Sequence, residues 1–212
     1  MSEREWVTES LKFYRPLNFF ADRCTLADEQ LADDLIARRI EAGSQDYLET
    51  FLEAKAEAEQ EHEEWEIVAP EAIADMVLLA HDENRVWWDD GETDICPGDD
   101  IYVKVLRECS RISRGAFVIS DIEEEWKDGV LSGVLFSWKD ERWQVFPNAE
   151  SSGWIDFSIL EQINPLLQNS GTTFLGHWAG DQTTFIVALT QDEKRKFESQ
   201  RHWSFYDSLD EM

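Results

Sequence analysis

Apolar positions in the first third of the chain recur at helical spacing. Ala27, Leu31 and Leu35, with Ile36 and Ile40 beside them, form one stripe behind Thr25 as a cap, and Gly43 stands where such a helix ends. Ser44 opens a second helix in which Tyr47, Leu48, Phe51 and Leu52 repeat at helical steps. From Glu53 to Glu64 the stripe disappears while alanine and glutamate keep helix propensity high, which predicts either the exposed end of a long helix or a charged connector. Pro70 suits the first turn of a further helix through Glu71 to Ala80.

After Asp82 the pattern changes. Asn84 to Trp88 is a short extended run, Asp89-Asp90-Gly91 is a turn signal, and an acidic loop follows from Glu92 to Asp100 with Pro97-Gly98 inside it. Ile101, Val105, Leu106, Cys109 and Ile112 return to helical spacing, and Gly115 stops the helix. Ser120 and Glu123 fit a capping box, predicting a short acidic helix that ends near Trp126. Val130, Val134, Phe136 and Trp138 then alternate on one side of a strand, Lys139-Asp140-Glu141 turns, and Trp143 and Val145 return before Pro147. Asp156 caps a helix carrying Phe157, Leu160, Ile163 and Leu167, which Pro165 weakens or kinks. A second hairpin joins Phe174–Trp178 to Thr183–Leu189 through Ala179-Gly180-Asp181-Gln182, and Thr190 with Glu193 caps a final helix that includes Phe197.

These elements predict an α+β fold. A helical N-terminal region (1–66) precedes an α+β domain (67–212), or the two form one continuous domain. The sheet is antiparallel, of about four strands in two hairpins, with helices packed on one face.

Charge changes what such a fold can bind. The 212 residues include 46 acidic and 19 basic side chains, a formal charge of −27. A surface this negative repels phosphate backbones and anionic lipids, so neither nucleic acid nor membrane is an expected partner. The short basic runs Arg38-Arg39, Arg107 to Arg114 and Lys194-Arg195-Lys196 are each flanked by acids and read as solvated helix faces. Disorder is not implied, because 42% of residues are hydrophobic and there are 10 Trp, 12 Phe and 4 Tyr. The acidity is distributed: residues 1–66 carry 7 basic and 18 acidic side chains, 67–128 carry 6 and 16, and 129–212 carry 6 and 12. The stretch 82–100 holds eight acids against one base beside Trp87-Trp88. Cys24, Cys96 and Cys109 lack any CxxC spacing and read as reduced thiols of a cytoplasmic protein. No leader pattern or stretch of about 18 apolar residues is present.

Motifs for catalysis are thin. His62 lies in Glu61-His62-Glu63-Glu64 without a second His four residues on, and His81-Asp82-Glu83 reads as either contributing metal ligands or as solvated residues after a helix. The acids of Asp89 to Asp100 lack the order of a calcium loop. GxSxG and GxxxxGK are absent, Ser132-Gly133 and Ser152-Gly153 have structural explanations, and Cys109 falls on an apolar helix face. No metal or cofactor is expected.

The informative pattern is tryptophan beside carboxylates. Trp87, Trp88, Asp89, Asp90, Glu92, Asp94, Asp99 and Asp100 form one cluster; Glu123, Glu124, Glu125 and Trp126 form a second. Such a composition steers a basic partner by charge and anchors it by an aromatic. Period two in a strand turns one of Trp87 and Trp88 to the core and the other outward.

Asp156-Phe157, Ile163-Asn164-Pro165-Leu166-Leu167, Thr173-Phe174, Gly180-Asp181-Gln182, Phe185 to Thr190 and Glu193 together resemble small α+β immunity proteins of bacterial polymorphic toxin systems over residues 130–200. The resemblance implies a cytosolic, non-enzymatic inhibitor that plugs a toxin, often a nuclease with a basic active site. The expectation is an acidic protein-binding module that neutralises a basic partner, as an immunity protein does. Two alternatives stand beside it: a carboxylate- or metal-dependent hydrolase with His81 or His177 and at least two acids in a deep pocket, and a housekeeping domain whose charge serves solubility.

Overall fold

A computed structural model describes residues 1–60, 69–148, 153–178 and 183–206. The chain is α+β and divides into two compact units, Met1–Glu83 with Arg195–Ser204, and Asn84–Lys194 with Phe205–Met212. The boundary expected at 66/67 lies outside the described residues, as do His62, the acidic run Glu61–Glu64, Ser152 and the hairpin turn 179–182.

The first unit contains α1 (Glu3–Tyr14), α2 (Asp28–Glu41), α3 (Tyr47–Gln60), α4 (Pro70–Leu79) and the C-terminal part of α7 (Gln191–Arg201). A reciprocal capping box starts α1: Ser2 N donates to Glu5 Oε2 at 2.7 Å and Glu5 N donates to Ser2 Oγ at 3.3 Å. The cap of α2 is Ala27, two residues beyond the expected Thr25; alanine has no side-chain acceptor for the helix's first N–H groups, and Gln30 Oε1 accepts from Ala27 N at 3.0 Å. Gly43, at φ +70°, closes α2, with Gly43 N on Ile40 O and Ser44 N on Arg39 O. Asp46, not Ser44, caps α3 through Leu48 N and Glu49 N.

Leu11, Leu31, Leu35, Tyr47 and Phe197 are fully buried in this unit. Asp75 of α4, fully buried, accepts a forked pair of hydrogen bonds from Arg201, whose guanidinium lies 5.6–5.9 Å from the rings of Trp6, Phe13 and Tyr14. Removing either charge would strand the other in an apolar cage, which makes this pair a constraint on the fold rather than a surface ornament.

The second unit holds two three-stranded antiparallel sheets, where the sequence pattern predicts one of about four strands. In the first sheet the order is β1-β6-β5, from β1 (Val86–Asp89), β5 (Thr172–Trp178) and β6 (Thr184–Thr190). The second is the meander β2 (Ile119–Lys127), β3 (Val130–Trp138) and β4 (Glu141–Val145). Both predicted hairpins form, and each gains a third strand: β1 pairs with β6, Val86 opposite Val187, and β2 pairs with β3. The acidic helix predicted at Ser120–Trp126 is therefore a strand. Its local box loses to a nine-residue ladder, and Ile122, Glu124 and Trp126 alternate inward with Glu123 and Glu125 outward.

A β-bulge corrects a second expectation. Trp126 pairs with Leu131 and Glu125 with Gly133, which leaves Ser132 unpaired on β3. The extra residue reverses the alternation, so Leu131 joins Val134, Phe136 and Trp138 in the core while Val130 is exposed.

Between the sheets' strands run α5 (Ile101–Ile112) and α6 (Ile159–Ile163), the latter continued by a 3-10 segment at Asn164–Ser170. Pro165 has no N–H to donate, and the helix tightens there. Two side-chain amides two residues apart bind this segment to both sheets. Gln162 exchanges hydrogen bonds with Phe146 N and O at 2.9 Å each, and Asn164 does the same with Phe174 N at 2.8 Å and O at 3.0 Å. Each amide imitates a strand neighbour, covering backbone groups just beyond β4 and on β5. Thr190 and Glu193 form the predicted capping box of α7, and Arg114 holds the same carboxylate at 2.8–2.9 Å. Asn164→Ala removes a donor and an acceptor from the Phe174 peptide groups and is expected to lower stability by about 1–3 kcal/mol in urea unfolding. Asn164→Asp, which keeps the acceptor, is expected to lose less.

Candidate functional site

Both acidic clusters belong to the second unit, and the structure brings them together at the N-terminus of α5. The first begins on β1. Trp87 turns inward, its ring 5.6 Å from that of Phe157, and Trp88 turns outward with 57% of its surface exposed. Asp89 closes the turn by accepting from Gly91 N at 2.9 Å. Gly91 sits at φ +69°, and a Cβ there would lie 3.3 Å from Phe157 Cε2, so both conformation and space call for glycine.

The loop beyond Gly91 is tied to a neighbouring segment. Ile155 N donates to Gly91 O at 2.8 Å, Thr93 N donates to Gly153 O at 3.0 Å, and Glu92 bridges to Trp154. Trp154 is 39% exposed, which adds a second outward aromatic beside the acidic loop. Asp90, Glu92, Asp94, Asp99 and Asp100 form no ion pair among the described residues, and Arg85, the one base within 82–100, is buried and donates to Ala188 O at 3.5 Å. Arginines of the first unit, by contrast, are matched to acids, as in Arg4–Asp33, Arg15–Asp28 and Arg39–Glu3.

The second cluster is engaged by its own fold. Glu123 pairs with Arg142 at 2.9 Å across the sheet, and Glu125 accepts from Gln144 Nε2 at 2.7 Å. Glu124 points inward and spans two elements: Oε1 accepts from Tyr102 N at 2.7 Å, and Oε2 accepts from the indole Nε1 of Trp126 at 3.2 Å. Asp100, the first residue before α5, lies in the left-handed region at φ +54° and makes no side-chain cap. Glu124 therefore does the capping from another strand, placing a carboxylate at the positive end of the helix.

A cavity of about 220 Å³ opens beside this cap. Asp94, Ile95 and Cys96 come from the acidic loop, Tyr102 from α5, and Trp126 and Leu131 from β2 and β3. Tyr102 Oη accepts from Asp156 N at 2.9 Å, and burial raises its hydroxyl to about 12, so it stays protonated at neutral pH. Neither His81 nor His177 lines this cavity. No group of three or more His, Cys, Asp or Glu among the described residues could hold a metal ion. Cys109 is buried as its helical phase predicts, and burial pushes its thiol upward; Cys24 and Cys96 are exposed.

Sequence reasoning placed Trp87, Trp88 and Asp89 to Asp100 on a strand-turn-loop, and the structure agrees. It missed Trp154, Tyr102, Ile95 and Cys96 as members of one site. The 3.6-residue phase of Tyr102 with Val105, Leu106 and Cys109 signalled only a core position, and nothing local to Trp154 links it to Glu92. Among the described residues no helix is long and apolar enough to cross a membrane. No family model matches the chain, and no curated protein or solved structure matches it either.

Glu124→Ala removes the acceptor of both Tyr102 N and the Trp126 indole. The expected result is a loss of about 1–2 kcal/mol in chemical denaturation, the scale of a lost helix cap, with faster amide exchange at Tyr102. Glu123→Ala, which removes only an exposed pair, is expected to change stability by less than about 1 kcal/mol.

Proposed function

We propose that the chain is an acidic binding protein that neutralises a basic protein partner in the cytoplasm, acting as an immunity protein against a toxin such as a nuclease. The supporting observation is the set of five carboxylates at Asp90, Glu92, Asp94, Asp99 and Asp100 that form no ion pair among the described residues, carried on a loop whose base is tethered and flanked by the outward ring of Trp88. Unpaired acids at this density accelerate encounter with a lysine- or arginine-rich surface, and a stiff, exposed tryptophan supplies desolvated contact area once the partner has arrived. In this reading the binding residues are Trp88, Asp89, Asp90, Glu92, Asp94, Asp99 and Asp100. Trp87 anchors the strand, Glu124 holds the loop's far end through Tyr102 N, and Glu123 and Glu125 are engaged within their own sheet by Arg142 and Gln144. Inhibition would follow from occupation of the basic site by carboxylates in place of substrate phosphates, with no bond made or broken.

The full chain, immobilised, is expected to retain a basic protein from an extract of its own cells at low salt and to release it by roughly 1 M salt, where the Debye length falls to about 3 Å. Asp90→Lys/Glu92→Lys/Asp94→Lys is expected to retain at least tenfold less of that same protein. Retention of nothing, or equal retention by the charge-reversed variant, would overturn the proposal.

A further inference from the structure

We infer that the cavity beside Glu124 seats one arginine side chain of the basic partner, against the ring of Trp126 and the carboxylate of Asp94. This inference rests on the proposed function, since it names the chemical group by which the basic partner is read.

Size is the first argument. A volume of about 220 Å³ falls below the roughly 300–1,000 Å³ of sites for drug-sized ligands, and matches a single inserted side chain better than a cofactor. Lining chemistry is the second. Trp126, Ile95 and Val130 supply apolar wall, and Asp94 supplies an exposed carboxylate with no ion pair among the described residues. No lysine or arginine is among the residues that line the cavity. A cation entering it is attracted by the Asp94 carboxylate and by the π-system of Trp126, whereas an anion is repelled by that carboxylate.

Preorganisation is the third argument. The Trp126 indole is held by its hydrogen bond to Glu124, and the Tyr102 hydroxyl by the donation from Asp156 N. Neither ring has to be ordered when a ligand arrives, so the entropic penalty of binding is reduced. Glu124 also keeps a second negative charge one hydrogen bond behind the Trp126 ring. Arginine fits this setting better than lysine: its planar guanidinium stacks on aromatic faces, is less strongly hydrated than an ammonium, and can present two N–H groups to one carboxylate.

The test titrates the full chain, ¹⁵N-labelled, with N-acetyl-arginine methylamide at constant ionic strength. The Trp126 indole N–H is assigned by its disappearance in Trp126→Phe. N-acetyl-lysine methylamide serves as the second cation, and N-acetyl-citrulline methylamide as the neutral isostere. Saturable shifts of the Trp126 indole N–H and the Tyr102 amide are expected with the arginine probe, weaker ones with lysine and none with citrulline. Asp94→Asn, an exposed change outside the helix cap, is expected to weaken the arginine probe roughly two- to fivefold, the range of a solvent-accessible ion pair. Shifts that leave Trp126 and Tyr102 unmoved, or that citrulline reproduces, would overturn the inference; lysine binding as tight as arginine would overturn the choice of side chain. If the arginine probe fails here while a basic protein is still captured through Asp90, Glu92 and Asp94, the subsite is wrong and the proposed function stands. If the probe binds and no basic protein is captured, the reverse holds.

Discussion

One carboxylate organises the acidic face. Glu124 is the one carboxylate of its cluster that turns inward, and it meets the N-terminus of α5, where Asp100, left-handed at φ +54°, makes no side-chain cap. The cross-strand cap does three things at once. It neutralises the helix terminus, it fixes the end of the loop that carries Asp90 to Asp100, and it orients Trp126. At its beginning the loop is anchored through Gly91 and Thr93. A helix dipole and an indole N–H together hold a charge that would otherwise be expensive to bring inward from water.

Charge is distributed unequally in its satisfaction, though it is spread along the chain. In the first unit arginines are consumed by local acids, and Asp75 with Arg201 places one pair entirely inside. In the second unit the acids of β2 are engaged by Arg142, Gln144 and two N–H groups. Among the described residues, the acids between Gly91 and α5 have no ion-pair partners. Net charge alone does not distinguish a solvated surface from a binding one; the proposal rests instead on the run of acids without ion pairs among the described residues in the strand-turn-loop that starts at Trp88.

Much of the fold was legible where periodicity was long and consistent. Residues 70–79 and 101–112, both hairpins and the box at Thr190 and Glu193 all follow from spacing and caps. The same four-residue signature at Ser120 and Glu123 misled, because inward alternation of Ile122, Glu124 and Trp126 serves a strand and β3 pairs with it at seven positions. What could not be read locally is pairing between distant segments. Nothing around Val86 announces Val187, 101 positions later, and the inversion of Val130 depends on a single unpaired serine. For the candidate site, the outward and inward tryptophans of β1 followed from period two, while Tyr102 and Trp154 joined it only through the tertiary fold. The α1 cap at Ser2 and Glu5 was written in the sequence and is plain once the helix behind it is known.

The central claim is that a basic protein meets this chain at the segment running from Trp88 through Asp100. Hydrogen–deuterium exchange of the full chain, free and saturated with the basic protein it retains, tests that directly. The account predicts that protection gained on binding is concentrated in peptides covering residues 86–100, with a lesser gain at 153–155 beside the loop. Protection confined to residues 1–60, with 86–100 unchanged, would contradict it.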